Sequence, residues 1–335
     1  MQAAIYGLSG TELTDNERDF FRDTDPAGYI LFKRNCSNEE QLRRLNDELF
    51  ALSGRPDLPI LIDQEGGRVA RMQPPVWPAF PKAEAFANLY NLAPSSAIEA
   101  ARVNARALAL MLRGVGVNVN CLPVLDVLQP GATDIVGDRS LGGDPMQVAA
   151  LGRAVLDGMA SAGVVGVVKH MPGHGRALVD SHKELPIVTA GDDELAIDLE
   201  PFERLRWAPM GMVAHVVYTA WDADLPSSMS PTVINQIIRE RIGFDNLLMT
   251  DDLGMHALSG DMGSRAANAV AAGCDIALHC SGDMAEMQSV AAAVPALSAD
   301  GEARLARAMA ITLNEEDDVS FAEAVAKRDE LLALV

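Results

Sequence analysis

Two neighbouring acidic residues, Asp251 and Asp252, end a short apolar run and are of a type that can attack an electrophilic carbon or carry a proton. Because side chains alternate along a strand, we expect only one of them to face a cavity and the other to bond to the backbone or a neighbouring loop. An aspartate at the end of a strand can also be a helix N-cap or a loop brace. The pair therefore indicates a catalytic site only together with other residues.

A second candidate centre follows residues 164–168, an apolar run typical of a buried strand. The loop after it contains Gly173 and Gly175 and carries Asp180-Ser181-His182. In extended geometry Asp180 and His182 point the same way, and a carboxylate beside an imidazole fixes its tautomer and raises its basicity. His182 is therefore a candidate general acid and base, although a loop histidine can also have an incidental acidic neighbour.

Lys169 and His170 stand at the end of the same apolar run. A core strand rarely tolerates charge without a partner, so this pair is a stronger candidate for a functional role than a loop histidine. His215 and His279 fall inside predicted strands, where a histidine is more often a hydrogen-bonded core residue than a catalytic one. The chain has no HxH or HExxH pair, so a metal-dependent hydrolase has no support from spacing, and we expect neither metal nor cofactor.

Short apolar segments separated by helical patterns recur along the chain. The predicted strands are residues 3–8, 28–33, 58–62, a part of 115–127 that ends near Asp126, 164–168, 211–218, 246–250 and 274–280. Helix starts are expected at Ser37 and Ser96, as capping boxes with Glu40 and Glu99, and at Asp144, followed by Pro145.

Strands that are apolar on both faces are typical of a parallel sheet covered on both sides. Eight such units predict an α/β fold, a single-domain (β/α)8 barrel of the TIM type, over residues 1–335, with C-terminal helices from about residue 299. A doubly wound open sheet is the alternative. No GxGxxG follows any strand, and the polar groups gather after several strands rather than at one switch point, so the barrel is favoured.

Barrel enzymes place their sites at the carboxyl ends of the strands. The polar groups expected there are the loop 171–186 and the residues Asp63, Arg71, Asp126, Arg139, Lys169, His170, His215, Asp251, Asp252 and His279. These groups form hydrogen bonds and include few aromatic rings, which favours a polyhydroxylated ligand.

Composition excludes several classes of partner. The formal charge of −20 argues against nucleic acid or an anionic membrane as a partner. No run reaches the roughly 18 apolar residues that span a bilayer, and the N-terminus does not resemble a secretory signal. The four cysteines form no CxxC pair and are expected to be reduced core thiols of a cytoplasmic protein.

At these residues the chain resembles glycoside hydrolase family 3, and within it the single-domain β-N-acetylglucosaminidases (β-N-acetylhexosaminidases) of the NagZ type. The matching segments are IDQEGGRVAR (62–71), PVLDV (123–127), GDRSLGGDP (137–145), KHMPGHG (169–175), DSHKELP (180–186), AHVVY (214–218), SSMSP (227–231), TDDLGM (250–255) and AGCDIALHC (272–280). Met171 replaces the phenylalanine usual in the fourth segment.

The resemblance implies a role for each matching residue. Asp251 would be the nucleophile, with Asp252 its supporting neighbour, and His182 would be the proton donor and acceptor, with Asp180 its dyad partner. Five residues would hold the sugar ring: Asp63, Arg71, Arg139, Lys169 and His170. The family acts on terminal β-linked N-acetylglucosamine, notably in anhydromuropeptides during cytoplasmic recycling of peptidoglycan, so the expected partner is a carbohydrate.

Three other functions stay open at this point. A phosphorylase on the same scaffold is one, because a histidine acid/base would not repel an incoming phosphate as a carboxylate would. A metal-dependent hydrolase and a non-catalytic sugar-binding protein are the others.

Overall fold

The computed structural model describes residues 1–131, 136–179, 181, 184–313 and 318–335. Its main sheet has eight strands, all parallel to their neighbours. In chain order they are β1 (Gln2–Gly7), β2 (Pro26–Leu31), β3 (Ile60–Ile62), β4 (Val119–Asn120), β5 (Val165–Met171), β6 (Met210–Val213), β7 (Leu247–Thr250) and β8 (Ala277–His279). Each lies within or overlaps a predicted segment.

The sheet closes into a barrel. Neighbouring strands follow the chain order from β1 to β7, and β8 pairs with β1. Between β7 and β8 a parallel bridge joins Met249 to Ile276, and the Thr250 amide donates to the Ile276 carbonyl at 3.1 Å. The predicted (β/α)8 barrel is therefore confirmed and the open doubly wound sheet is excluded, because an open sheet would leave β7 and β8 as separate edges.

Helices surround the barrel. Those of the described residues are α1 (Asp15–Thr24), α2 (Glu39–Ser53), α3 (Ala83–Leu92), α4 (Pro94–Arg113), α5 (Pro145–Ala160), α6 (Asp192–Arg204), α7 (Val233–Arg241, with π-type hydrogen bonds), α8 (Met262–Ala272), α9 (Met284–Ala293), α10 (Ala299–Met309) and α11 (Phe321–Leu332). Helices α3 and α8 were not predicted from the sequence. Prolines precede α3 closely, and α8 is so rich in alanine that its apolar periodicity is weak.

The structure confirms one of the three predicted helix starts and contradicts the other two. Asp144 caps α5 as predicted, its Oδ1 accepting from the Gln147 amide at 2.9 Å. The two predicted capping boxes are wrong. Asn38, not Ser37, caps α2, and Ser96 lies inside α4, which begins at Pro94. Proline is favoured in the first turn of a helix because its fixed φ suits the helix and its missing N–H would be unbonded there.

The barrel interior is packed with side chains rather than open. The inner layers hold Ile5, Leu61, Val119, Val167, Met210 and Met249, all nearly or fully buried. Outside the barrel, α11 packs against α4, where the buried Arg106 donates to the Val319 and Ser161 carbonyls at 2.7 Å each. This contact fixes the C-terminal segment to the body of the barrel.

Among the described residues, no helix combines the length and the apolar character that crossing a membrane requires.

Candidate active site

A cavity of about 750 Å³ opens at the carboxyl ends of the barrel strands. Strands β2, β3, β5, β6, β7 and β8 or the residues directly after them supply its wall. The predicted site residues among its lining are Asp63, Arg71, Arg139, Lys169, His170, Asp251 and Asp252. The barrel therefore brings together side chains that are far apart in sequence, in a space of the size that encloses a small ligand.

One side of the cavity is a chain of alternating charges. Asp63 accepts from Arg71 at 2.9 Å and from Lys169 at 3.0 Å. Lys169 also contacts Glu65 at 2.7 Å, and both oxygens of Glu65 accept from the Arg139 guanidinium at 2.8 Å. The order is thus Arg71, Asp63, Lys169, Glu65, Arg139. Each charge has an opposite neighbour, which is what burial of so many ionised groups requires.

These pairings decide the charge states. Burial alone would raise the pKa of Asp63, but Lys169 and Arg71 bring it well below its ordinary value. Burial likewise raises the pKa of Glu65, and Lys169 and Arg139 lower it to about 2. For Lys169 burial lowers the pKa, while Asp63 and Glu65 raise it above its ordinary value. All three groups are therefore ionised at neutral pH and present fixed hydrogen-bond donors and acceptors to a ligand.

Beside this network, Asp126 positions His170. The buried Asp126 carboxylate accepts from His170 Nδ1 at 2.7 Å and from the backbone amides of His170 and His174 at 3.2 and 2.7 Å. Burial would raise the pKa of Asp126, but His170 and these bonds lower it to about 2, so the carboxylate is ionised. Nδ1 of His170 therefore carries the proton of that bond, and the ring orientation is fixed toward the cavity.

Asp251 follows β7 directly and is half-buried in the cavity wall. Its Oδ1 accepts from the Asp252 amide at 2.8 Å. Burial would raise its pKa, but His170 and His215 lower it below the ordinary value. An ionised carboxylate with one oxygen held by a backbone amide is suited to nucleophilic attack within the cavity.

Both Asp251 and Asp252 line the cavity, so the expectation that only one acid of the pair faces it is wrong. The backbone leaves strand geometry after Thr250, so strict alternation no longer applies. The second part of the expectation is confirmed. Asp252 Oδ1 accepts from the amides of Gly254 at 2.9 Å and Cys280 at 3.2 Å. Asp252 thus braces the backbone around Asp251.

Residues 4–311 match the glycosyl hydrolase family 3 N-terminal domain. The chain belongs to glycosyl hydrolase family 3. It is a glycoside hydrolase of the β-hexosaminidase group. The β-hexosaminidase of Bordetella avium is 37% identical to it over 278 residues, which cover 82% of this chain and 79% of the relative.

Solved structures of the NagZ protein from Neisseria gonorrhoeae have the same fold. The native form superimposes with a TM-score of 0.85 at 32% identity, covering 100% of this chain and 96% of the other. A complex of that protein with N-trifluoroacetyl-D-glucosamine gives a TM-score of 0.85 at 31% identity, covering 99% and 98%. The comparison therefore extends over the whole of this family 3 hydrolase.

Two predicted site residues, Asp180 and His182, lie outside the described residues of this family 3 hydrolase. Their described neighbours Leu178, Val179 and Glu184 line the cavity, and the Ser181 carbonyl accepts from the Ala257 amide at 3.1 Å. The roles of Asp180 and His182 stay predictions.

Glu65 is a site residue that the sequence reasoning did not select. It lies in a short hairpin of strands Gln64–Gly66 and Val69–Ala70, directly after β3. Its spacing of two from Asp63 was the available signal, because residues two apart in an extended segment share one side. Asp126 was expected at a strand end but not as the partner of His170.

Two other histidines, His215 and His279, are buried and hydrogen-bonded within the protein. His215 is fully buried below Asp251, with Nε2 3.0 Å from the Asp252 carbonyl oxygen and Nδ1 2.7 Å from Ser228 Oγ. His279 is also buried and does not line the cavity, and its Nε2 is 2.9 Å from Glu286. Neither His215 nor His279 lines the cavity, so the expectation that both belong to the polar mouth of the barrel is wrong.

The described part of the chain contains no group of three or more His, Cys, Asp or Glu residues that could hold a metal ion.

The Glu65 network predicts a pH-dependent stability. The pKa of Glu65 is about 2 in the folded chain, against 4.5 ordinarily. The unfolded chain therefore binds more protons between these pH values, and the stabilisation by Glu65 is complete above pH ~4.5 and lost as pH falls toward about 2. We expect Glu65→Gln to lower the free energy of unfolding by about 3 kcal/mol at pH 7, because it leaves Lys169 and Arg139 short of an anion.

Urea unfolding at pH 7, 5 and 4 measures this effect, and the difference between wild type and Glu65→Gln should shrink at the lowest pH. Glu200→Gln is the matched control, because Glu200 pairs with Arg204 at 2.6 Å on the surface, where such pairs contribute about 0–1 kcal/mol. A Glu65→Gln difference that stays constant over this pH range would contradict the assigned ionisation.

Proposed function

We propose that this chain is a retaining exo-β-N-acetylglucosaminidase that hydrolyses terminal β-linked N-acetylglucosamine through a covalent glycosyl-enzyme. The observation that carries the proposal is the ionised Asp251 carboxylate in the wall of a sugar-sized cavity, facing a fixed set of hydrogen-bonding charges. Membership of glycosyl hydrolase family 3 supports it.

In the first step, an Asp251 oxygen attacks the anomeric carbon while His182 donates a proton to the departing glycosidic oxygen. The bond to the aglycone breaks, and an ester forms between the sugar and Asp251. In the second step, His182 takes a proton from water, the water oxygen attacks the anomeric carbon, and the carboxylate leaves. Two inversions restore the β configuration. Asp180 would orient the imidazole and stabilise its charged form.

An imidazole in place of a second carboxylate has an electrostatic consequence. Two nearby carboxylates would repel each other and raise each other's pKa, whereas imidazole can be neutral or positive beside Asp251. Asp251 can therefore be ionised before it attacks and again after the sugar is released, in agreement with its lowered pKa.

The charged network would hold the sugar in the reactive position. Asp63, Arg71, Arg139, Lys169 and His170 all line the cavity and offer both donors and acceptors. Ion pairs among these residues and with Glu65 and Asp126 fix them before the ligand arrives, which lowers the entropy lost on binding. Hydroxyl and acetamido groups of a sugar would replace the remaining water contacts of these side chains.

The acetamido sugar is supported by the Neisseria gonorrhoeae NagZ complex, which holds N-trifluoroacetyl-D-glucosamine. The natural substrate that we propose is N-acetylglucosaminyl-1,6-anhydromuramoyl peptide, released during peptidoglycan recycling. The resemblance to the short family members supports this substrate and a cytoplasmic reaction.

Hydrolysis of aryl N-acetyl-β-glucosaminides beside aryl β-glucosides tests the proposal. We expect turnover of the acetamido substrate, with the β anomer of N-acetylglucosamine formed first in an NMR time course. First formation of the α anomer would exclude double displacement. The same reaction with added phosphate would yield a sugar phosphate if the chain were a phosphorylase, and activity lost to a chelator would favour a metal-dependent hydrolase.

A further inference from the structure

The loop after β5 begins with a short segment, residues 173–175, that contacts other parts of the chain. The Gly173 carbonyl accepts from Tyr218 Oη at 2.5 Å, and the His174 amide donates to Asp126 at 2.7 Å. At Gly175 a side chain would overlap the Val127 carbonyl, so only glycine fits. The start of the loop therefore packs against two other parts of the chain, Tyr218 and residues 126–127.

Arg176 attaches the loop to a third part of the chain. Its Nε donates to Asp198 Oδ2 at 2.5 Å and its Nη2 donates to the Glu194 carbonyl at 2.9 Å. Both acceptors belong to α6. Arg176 thus joins the loop to a helix that packs on the outside of the barrel and carries none of the cavity-lining residues.

Asp198, the partner of Arg176, is buried and held by other contacts. It is 2% exposed, its Oδ1 accepts from Gln129 Nε2 at 3.3 Å, and its Cβ packs against Gly173. Burial raises the pKa of Asp198 to about 6, although Arg176 and Gln129 lower it. The carboxylate therefore depends on Arg176 to remain charged, and a short charge-assisted bond between two largely buried groups is directional as well as strong.

The ion pair between Arg176 and Asp198 lies close in sequence to the predicted acid/base residues. Arg176 precedes Asp180 by four residues and His182 by six. Proton transfer to a leaving oxygen depends steeply on geometry, and a displacement of about 1 Å can lower a rate by about 10²-fold. Neither Arg176 nor Asp198 lines the cavity, so neither can act on the substrate directly.

We propose that Arg176 is a positioning residue for proton transfer: its ion pair with Asp198 fixes the point from which the loop presents the acid/base histidine. This inference rests on the proposed function, because it takes His182 as the proton donor. It does not involve the nucleophile or the network that would hold the sugar.

The test compares two substrates by kcat/KM, which reports the first chemical step. N,N′-diacetylchitobiose has a poor leaving group that needs a proton, whereas 2,4-dinitrophenyl N-acetyl-β-glucosaminide has a good one that does not. For Arg176→Gln we expect kcat/KM to fall at least about tenfold on the disaccharide and less than about threefold on the dinitrophenyl substrate. The inhibition constant of N-acetylglucosamine should not change.

The matched control is Arg239→Gln. Arg239 also forms a largely buried pair with an aspartate, Asp275, at 2.9 Å, but next to the amino ends of β7 and β8. Thermal unfolding of both variants shows whether their loss of stability is comparable. A merely structural role predicts equal losses on the two substrates for both variants, and that result for Arg176→Gln would overturn the proposal.

Two further variants keep the test decisive. Arg176→Lys and Asp198→Asn weaken the same pair with smaller changes, and both should shift the substrate ratio in the same direction if Arg176→Gln does not fold. His182→Ala distinguishes a failure of the positioning role of Arg176 from a failure of the acid/base assignment of His182. If it shifts the ratio and the Arg176 and Asp198 variants do not, only the positioning role is wrong. If His182→Ala leaves the ratio unchanged, the acid/base assignment and the positioning role are both wrong.

Discussion

Replacing Asp251 by alanine should lower kcat/KM for any β-N-acetylglucosaminide by about 10⁴-fold or more, while leaving the binding of N-acetylglucosamine close to that of the wild type. The carboxylate oxygen is the proposed attacking atom, so its loss removes the covalent step rather than a binding contact. The charged groups that would hold the sugar form ion pairs with one another or with Glu65 and not with Asp251. Steady-state kinetics and calorimetric titration with N-acetylglucosamine measure the two effects separately.

Azide gives this prediction a second readout. A small anion can occupy the space of the missing carboxylate and attack the anomeric carbon, so azide should restore turnover of a dinitrophenyl substrate by Asp251→Ala. The product should be the α-glycosyl azide, because a single displacement inverts the centre.

Asp252→Asn is the matched control for Asp251→Ala. Asp252 also lines the cavity, but its Oδ1 braces the amides of Gly254 and Cys280. An asparagine oxygen can accept the same bonds, so we expect a loss of about tenfold or less. A variant pair in which Asp251→Ala retained activity and Asp252→Asn lost it would exchange the two roles and contradict the assignment.

The barrel could be predicted because its signal is local. Each strand is a short apolar run, and the runs are separated by helical patterns, so the (β/α)8 order can be read along the chain. The cavity position followed from the same order, since the carboxyl ends of parallel strands meet at one mouth. Asp63, Lys169 and Asp251 were therefore placed together although 188 residues separate the first from the last.

The pairings within the site could not be predicted in the same way. Lys169 contacts Asp63 and Glu65 across the barrel, at sequence separations above 100, and no local pattern shows which acid a lysine will meet. Glu65 was missed because it sits in a hairpin after β3 rather than at the strand end itself. The caps predicted at Ser37 and Ser96 failed for a local reason instead. Asn38 caps one helix in place of Ser37, and the other helix begins at Pro94, two residues before Ser96.

Charge pairing also explains how a chain with a net charge of −20 keeps cations at its cavity. Arg71, Lys169 and Arg139 each contact Asp63 or Glu65, whose carboxylates lie deeper than most of the acidic residues on the surface. Surface acids act through solvent and are screened within about 10 Å at ordinary ionic strength. The polarity of the site therefore depends on its own few ion pairs and very little on the overall charge.

Replacing His182 by alanine should show the second large effect, and its size should depend on the leaving group. Substrates with a poor leaving group, such as N,N′-diacetylchitobiose, should lose about 10²–10⁴-fold in kcat/KM, because the departing alkoxide needs a proton. The dinitrophenyl substrate should lose little in kcat/KM, since its leaving group departs unprotonated. Its kcat should still fall, because the second step needs a base to activate water, and accumulation of the glycosyl-enzyme on Asp251 should be visible by mass spectrometry.

His256→Ala is the control for His182→Ala, because His256 is an exposed histidine that does not line the cavity. It should leave both substrates unaffected. Equal losses on the two substrates for His182→Ala would mean that the imidazole binds or orients the sugar instead of transferring a proton. In that case the proton would have to come from another group at the cavity. His170 is the remaining imidazole there, but Asp126 holds its Nδ1 and we propose it as one of the groups that hold the sugar, so the same two-substrate comparison on His170→Ala would identify the donor.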